Sequence, residues 1–130
     1  TGDFQPDTGA VETVTTEELA ELTTIYFDFD ESTIRADQRG SLKTDADAIL
    51  AQKNLGVVTL QGNTDERGSE EYNLALGERR AVSTKNYLVD LGVPSSRLRT
   101  VSFGEAKPAV AGHDESAWKW NRRVDFAVNR

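Results

Sequence analysis

The sequence predicts a single α/β domain, a two-layer sandwich in which helices pack against a four-stranded mixed sheet in the order βαβαβαβ. Three observations predict it. Four short runs are rich in β-branched and aromatic residues, three stretches of helical periodicity separate them, and 130 residues give room for one such core.

The elements follow in order. Thr15-Thr16-Glu17-Glu18 offers a capping box ahead of Leu19 and Leu22, which predicts a short helix after an opening segment carrying Gly2, Pro6 and Gly9. Residues 24–28, Thr-Ile-Tyr-Phe-Asp, read as the first strand. Across residues 37–53, Leu42, Ala46, Ile49 and Leu50 fall at i, i+4, i+7 and i+8, one face of a helix that Gly56 ends. Val57-Val58-Thr59-Leu60 is the second strand, and residues 62–68 form a polar turn. A helical pattern then runs from Ser69 to Leu91 with Gly77 inside it. An interior glycine costs about 1 kcal/mol relative to alanine. The pattern is therefore divided: a short turn over residues 69–76, then a helix capped by Gly77 with Glu78, Arg79 and Arg80 in its first turn. Gly92 and Pro94 close it. Residues 97–103 are the third strand, 104–112 a loop, Asp114 the cap of a helix through Asn121, and Arg123–Val128 an alternating final strand.

Charge divides the chain. The formal net charge is −7. Residues 1–23 hold six acids and no base, whereas from Thr24 onward 16 acids face 15 bases. Residues 1–23 are expected to be a flexible acidic tether, and residues 24–130 the domain. A body so close to neutral does not fit a nucleic-acid binder that works by phosphate neutralisation. With no cysteine there is neither disulfide nor thiolate metal site, and no metal or cofactor is expected. No apolar run approaches the ~20 residues of a membrane-spanning helix. The absence of a starting Met suggests a processed or trimmed chain.

Three groups of residues could carry chemistry. Asp28 and Asp30, set as Asp-x-Asp after a strand, have the arrangement of a nucleophile and an acid/base pair in an aspartate-dependent phosphatase. No later strand ends in the paired acids such an enzyme needs, so buried Phe27 or Phe29 beside loop carboxylates is the simpler account. His113, the only histidine, has no second histidine or cysteine with which to hold zinc. Asp65, in the turn after the second strand, and Arg80, fifteen residues on, form the third group. Either they and the backbone N–H groups of a helix N-terminus enclose a pocket for a zwitterion, or they are an ion pair that ties loop to helix.

The stretch Gln61-Gly62-Asn63-Thr64-Asp65-Glu66-Arg67-Gly68, followed by Glu71-Tyr72-Asn73-Leu74-Ala75-Leu76-Gly77-Glu78-Arg79-Arg80-Ala81, resembles the signature of OmpA-like peptidoglycan-binding domains. The resemblance spans residues 25–128. It takes in Tyr26-Phe27-Asp28-Phe29-Asp30, Ser102-Phe103-Gly104-Glu105-Ala106-Lys107-Pro108 and Asn121-Arg122-Arg123-Val124. The Asp-Glu-Arg-Gly turn, the Gly-Glu-Arg-Arg run and Gly112-His113-Asp114-Glu115 are most similar to the family's peptidoglycan-associated lipoprotein branch, Pal. The resemblance implies a non-catalytic module that binds the peptide stem of peptidoglycan through meso-diaminopimelate and anchors the outer membrane to the cell wall. Asp65 and Arg80 match the family's ligand-holding pair, with Thr64 beside them, Phe29 and Asp30 as another wall, and Arg122 or Arg123 as an edge. It further implies the Tol-system partners TolB and TolA, and a periplasmic location under an outer-membrane lipid anchor upstream of Thr1. Sibling scaffolds, the periplasmic domain of a porin or of a flagellar stator, would share the ligand but not the partners. Asn63 stands where many members have His, and Thr84 where the helix is usually apolar. Trp118 and Trp120, which replace a less bulky stretch, are either core residues or a wall against glycan or a partner, and at least one is expected in the core.

Overall fold

The computed structural model describes residues 22–128. The strands are β1 (Ile25–Tyr26), β2 (Val58–Asn63), β3 (Leu98–Gly104) and β4 (Arg123–Val128); the helices are α1 (Arg39–Ala51), α2 (Glu70–Asp90) and α3 (Glu115–Asn121). They alternate βαβαβαβ, as the sequence predicts. The strand order is β1-β4-β2-β3, with β2 and β3 parallel and the other two pairings antiparallel. The parallel pair needs a crossover, and α2 supplies it.

Alternation along the strands builds the core. Val58 and Leu60 of β2 and Val124, Phe126 and Val128 of β4 are buried, with Leu60 opposite Phe126. Leu42, Ala46 and Ile49 of α1 and Ala81 and Leu88 of α2 complete one contiguous cluster. Each Val, Leu, Ile or Phe among them contributes about 1.5–3 kcal/mol on burial. Helix α3 starts as the sequence predicts, with the Asp114 carboxylate accepting from Ser116 N at 3.0 Å.

Four expectations are corrected. First, Gly77 does not cap a helix: α2 runs unbroken for 21 residues from an N-cap at Ser69, whose Oγ accepts from Tyr72 N at 3.1 Å. Glycine stands at position 77 because α2 lies backbone-to-backbone on β2. A Cβ at Gly62 would sit 1.8 Å from Gly77 O, and one at Gly77 would sit 2.3 Å from Ser102 Oγ. Tertiary contact overrides the propensity penalty. Second, β2 extends past Leu60 to Asn63, which brings Asp65 to within two residues of the strand end. Third, neither tryptophan is in the core: Trp120 is 43% exposed, edge-on to Tyr26, and Trp118 is half-buried. Fourth, the packed unit begins before Thr24. Leu22 is buried in the core, and Thr23 N donates to Asp45 Oδ1 at 2.6 Å. The rest of the expected tether, and the helix expected at residues 15–22 apart from Leu22, lie outside the described residues.

Candidate functional site

Three segments meet at the end of β2. The loop after β1 carries Phe29 and Asp30, the turn after β2 carries Thr64 and Asp65, and α2 contributes Tyr72, Leu76 and Arg80. Together with Arg67 and Gly68 they enclose a cavity of about 220 Å³. Five of the six residues expected at the site therefore line one cavity, and the sixth, Arg122, lies behind it with Nη1 3.8 Å from Asp65 Oδ2.

Arg80 is fully buried. It reaches the site from the second turn past Asn73, across the close Gly62–Gly77 contact that lets helix and strand approach. Its Nε donates to Glu31 O (2.8 Å), Nη1 to Asn63 O (2.9 Å) and Nη2 to Asp28 O (3.1 Å). Two of these carbonyls belong to the loop after β1 and the third to the last residue of β2, so Arg80 fixes the spacing between that loop and the strand end. A guanidinium has five N–H donors. Three are engaged here, which leaves one on each terminal nitrogen. Burial lowers its pKa to about 10, opposed mainly by the attraction of Asp65, so it stays charged at neutral pH. The Thr84 hydroxyl donates to Arg80 O at 2.9 Å, so this buried hydroxyl is satisfied within α2.

Asp65, 4% exposed, is held by a different arginine. Its Oδ1 accepts from Arg67 N (3.0 Å) and Nε (3.2 Å), and its Oδ2 from Arg67 Nη2 (2.8 Å). The Arg67 guanidinium is in turn stacked 3.8 Å from the Phe29 ring and 3.9 Å from the Trp118 ring. Arg122 braces the back: Nε donates to Phe27 O (2.8 Å), and the terminal nitrogens form a bidentate pair with Glu115 at 2.8 and 2.9 Å. That pair holds the Arg122 pKa above its ordinary value.

Of the two arrangements expected for Asp65 and Arg80, the shared pocket is found but without its helix N-terminus, and the ion pair is not found. Among the described residues no hydrogen bond joins them, and no helix N-terminus lies beside Arg80, because the helix starts eleven residues earlier at Ser69. They are instead two separately anchored groups on one cavity. Asp30, at φ 60, accepts from the Tyr72 hydroxyl. Asp28 lies 3.6 Å from Arg35. His113 is an exposed partner of Glu66 at 2.8 Å. Among the described residues no group of three or more His, Asp or Glu is placed to hold a metal ion.

The sequence reading missed Arg67, Tyr72, Glu115 and Trp118. Arg67 was legible in part, since an Asp side chain that bonds its own backbone two residues on is a common turn device. Trp118 stood out as a bulky residue, but its contact with Arg67 was not legible, because it joins residues far apart in the chain.

Residues 26–122 match the OmpA family. The chain belongs to that family. Among its relatives are peptidoglycan-associated lipoproteins of Pseudomonas putida, 46% identical over 125 residues, and of Rhizobium meliloti, 48% identical over 100 residues. The first alignment covers 95% of this chain and 74% of that protein, the second 77% and 56%. The chain thus spans little more than half the length of the Rhizobium relative. The crystal structure of the peptidoglycan-associated lipoprotein from Burkholderia pseudomallei superposes with a TM-score of 0.79 at 39% identity, over 86% of this chain and 93% of that one. An OmpA-family fold with this strand order is the scaffold on which the cavity is built.

Proposed function

We propose that the domain binds peptidoglycan non-covalently, taking the free end of a meso-diaminopimelate side chain into the cavity between Asp65 and Arg80. One observation carries this reading: a small cavity lined both by a buried guanidinium, with one N–H left on each terminal nitrogen, and by a buried carboxylate. The ligand's terminal carboxylate accepts the two free N–H groups of Arg80. Its ammonium lies toward Asp65 and Asp30. Asp65 retains an acceptor site, since a carboxylate offers about four lone-pair positions and Arg67 uses three. Phe29 and Leu76 flank the methylene chain, and Thr64 completes the polar wall.

The names of the relatives support the ligand class and a place in the cell envelope of Gram-negative bacteria, facing the periplasm. The outer-membrane lipid anchor and the partners TolB and TolA rest on the resemblance alone, as does a role for residues 1–23 as the tether. A binding module is favoured over a phosphatase because Asp28 is paired with Arg35, and Asp30 with Tyr72.

Pelleting with purified cell wall tests the reading. Asp65→Ala should reduce co-sedimentation at least ten-fold while the circular dichroism stays native, and a diaminopimelate peptide should compete where its lysine counterpart does not. Undiminished pelleting of the folded variant overturns the assignment.

A further inference from the structure

A second cavity, of about 270 Å³, adjoins the first. The two share Thr64, and their partition is a stack: Arg67 lines the first, Trp118 the second, and they touch at 3.9 Å. Below the ~300 Å³ at which drug-sized sites begin, this cavity has room for one ring-sized group. Its outer wall is the loop after β3, with Pro108, Val110 and Ala111. That loop is braced. Asn121 Oδ1 accepts from Ala109 N (2.7 Å) and Val110 N (3.0 Å), its Nδ2 donates to Val110 O (3.0 Å), and Arg123 Nη2 donates to Lys107 O (2.9 Å). A wall held in this way needs little ordering on binding.

The lining chemistry narrows the occupant. Among the described residues no Lys or Arg lines this cavity, and its one histidine, His113, is already engaged by Glu66, which disfavours an anionic group. Two carboxylates line it, which disfavours a purely apolar chain. Both carboxylates are oriented by planar side chains: Glu66 by Trp118 Nε1 (3.0 Å) and His113 Nδ1 (2.8 Å), and Glu105 by Asn73 Nδ2 (2.7 Å). Oriented acceptors beside an aromatic ring and a few apolar side chains suit a neutral ring that carries hydroxyl and amide donors. The stem peptide proposed for the first cavity hangs from sugars of that kind. We infer that the second cavity is a glycan subsite, which takes an N-acetylated sugar of the strand that carries the peptide. This rests on the stem-peptide reading above.

The test is titration calorimetry on the full chain with three probes: a diaminopimelate stem peptide, the same peptide still linked to its disaccharide, and a dilysine peptide. The sugar-linked peptide should bind at least ten-fold more tightly than the bare one. Ala111→Trp, a change at an exposed loop position that fills the cavity, should remove that gain and leave the bare-peptide Kd within two-fold. Equal affinities for the two peptides, or a gain that survives in Ala111→Trp, overturns the subsite. Binding of dilysine, blocked by Ala111→Trp, with no gain from the sugar, overturns it in favour of a cationic partner. If neither stem peptide binds, the stem-peptide reading itself falls.

Discussion

Two carboxylates of this domain are removed from water, and their surroundings are opposites. Asp45, on the core face of α1, is fully buried; its Oδ1 accepts one backbone N–H, from Thr23, and its Oδ2 has no partner among the described residues. Burial pushes its pKa up to about 7, with the Thr23 N–H pulling the other way. Asp65, almost as buried, is gripped by Arg67 and faces Arg122 and the charge of Arg80. The lesson is that burial alone does not make a charged site. Asp45 drifts toward its neutral form because only a backbone dipole meets it, whereas Asp65 is engaged by a fixed guanidinium.

The comparison can be broken hardest at Arg80. Arg80→Met keeps the bulk but strips three main-chain carbonyls of their donor and removes a positive charge near Asp65. Urea unfolding should show a loss of about 3–5 kcal/mol, the cost of breaking a buried charged network. A loss below 1 kcal/mol would mean that Arg80 does not fix the cavity's walls.

Asp45 gives the next largest effect, through pH. Its folded-state pKa, about 7, lies above the roughly 3.9 of an unfolded aspartate, so between those values the folded state holds the extra proton. Stability from this group is therefore complete below about pH 4 and declines as pH rises to 7, by roughly 4 kcal/mol if the full difference is realised. Denaturant unfolding from pH 4.5 to 8 should show the decline in the native chain, and its absence in Asp45→Asn. An unchanged slope in Asp45→Asn would remove Asp45 from the account.

Phe29→Ala gives the smallest effect. It deletes one of the two rings that sandwich Arg67 and should cost about 0.5–1 kcal/mol, the range of a partly exposed cation–π contact. The affinity for cell wall should fall more than the stability does, because Phe29 also walls the cavity.

Much of the fold could be read in advance, because it depends on local periodicity. The spacing of Leu42, Ala46 and Ile49 and the alternation of Val124, Phe126 and Val128 impose one helix face and one sheet face wherever the elements are placed. Asp45 was not singled out, and nothing nearby in sequence told of Thr23. Gly77 was misread because a local penalty was weighed without the neighbour that reverses it: only the pairing of α2 with Gly62 requires the missing Cβ. The same applies to the site. The identity and spacing of Asp65 and Arg80 were in the sequence, but their partners were not.

What the sequence determined by itself is the element order, the core face of each element, and the presence of an acid and an arginine near the end of the second strand. These follow from side-chain period and residue type. Only the tertiary structure decided that α2 is unbroken, that Arg80 is anchored on carbonyls of the loop after β1 and of the end of β2 rather than paired with Asp65, and that Arg67 stands between Phe29 and Trp118. Each is a contact between residues distant in the chain, and the free energy that selects it comes from burial and hydrogen bonding across elements, which no local pattern encodes.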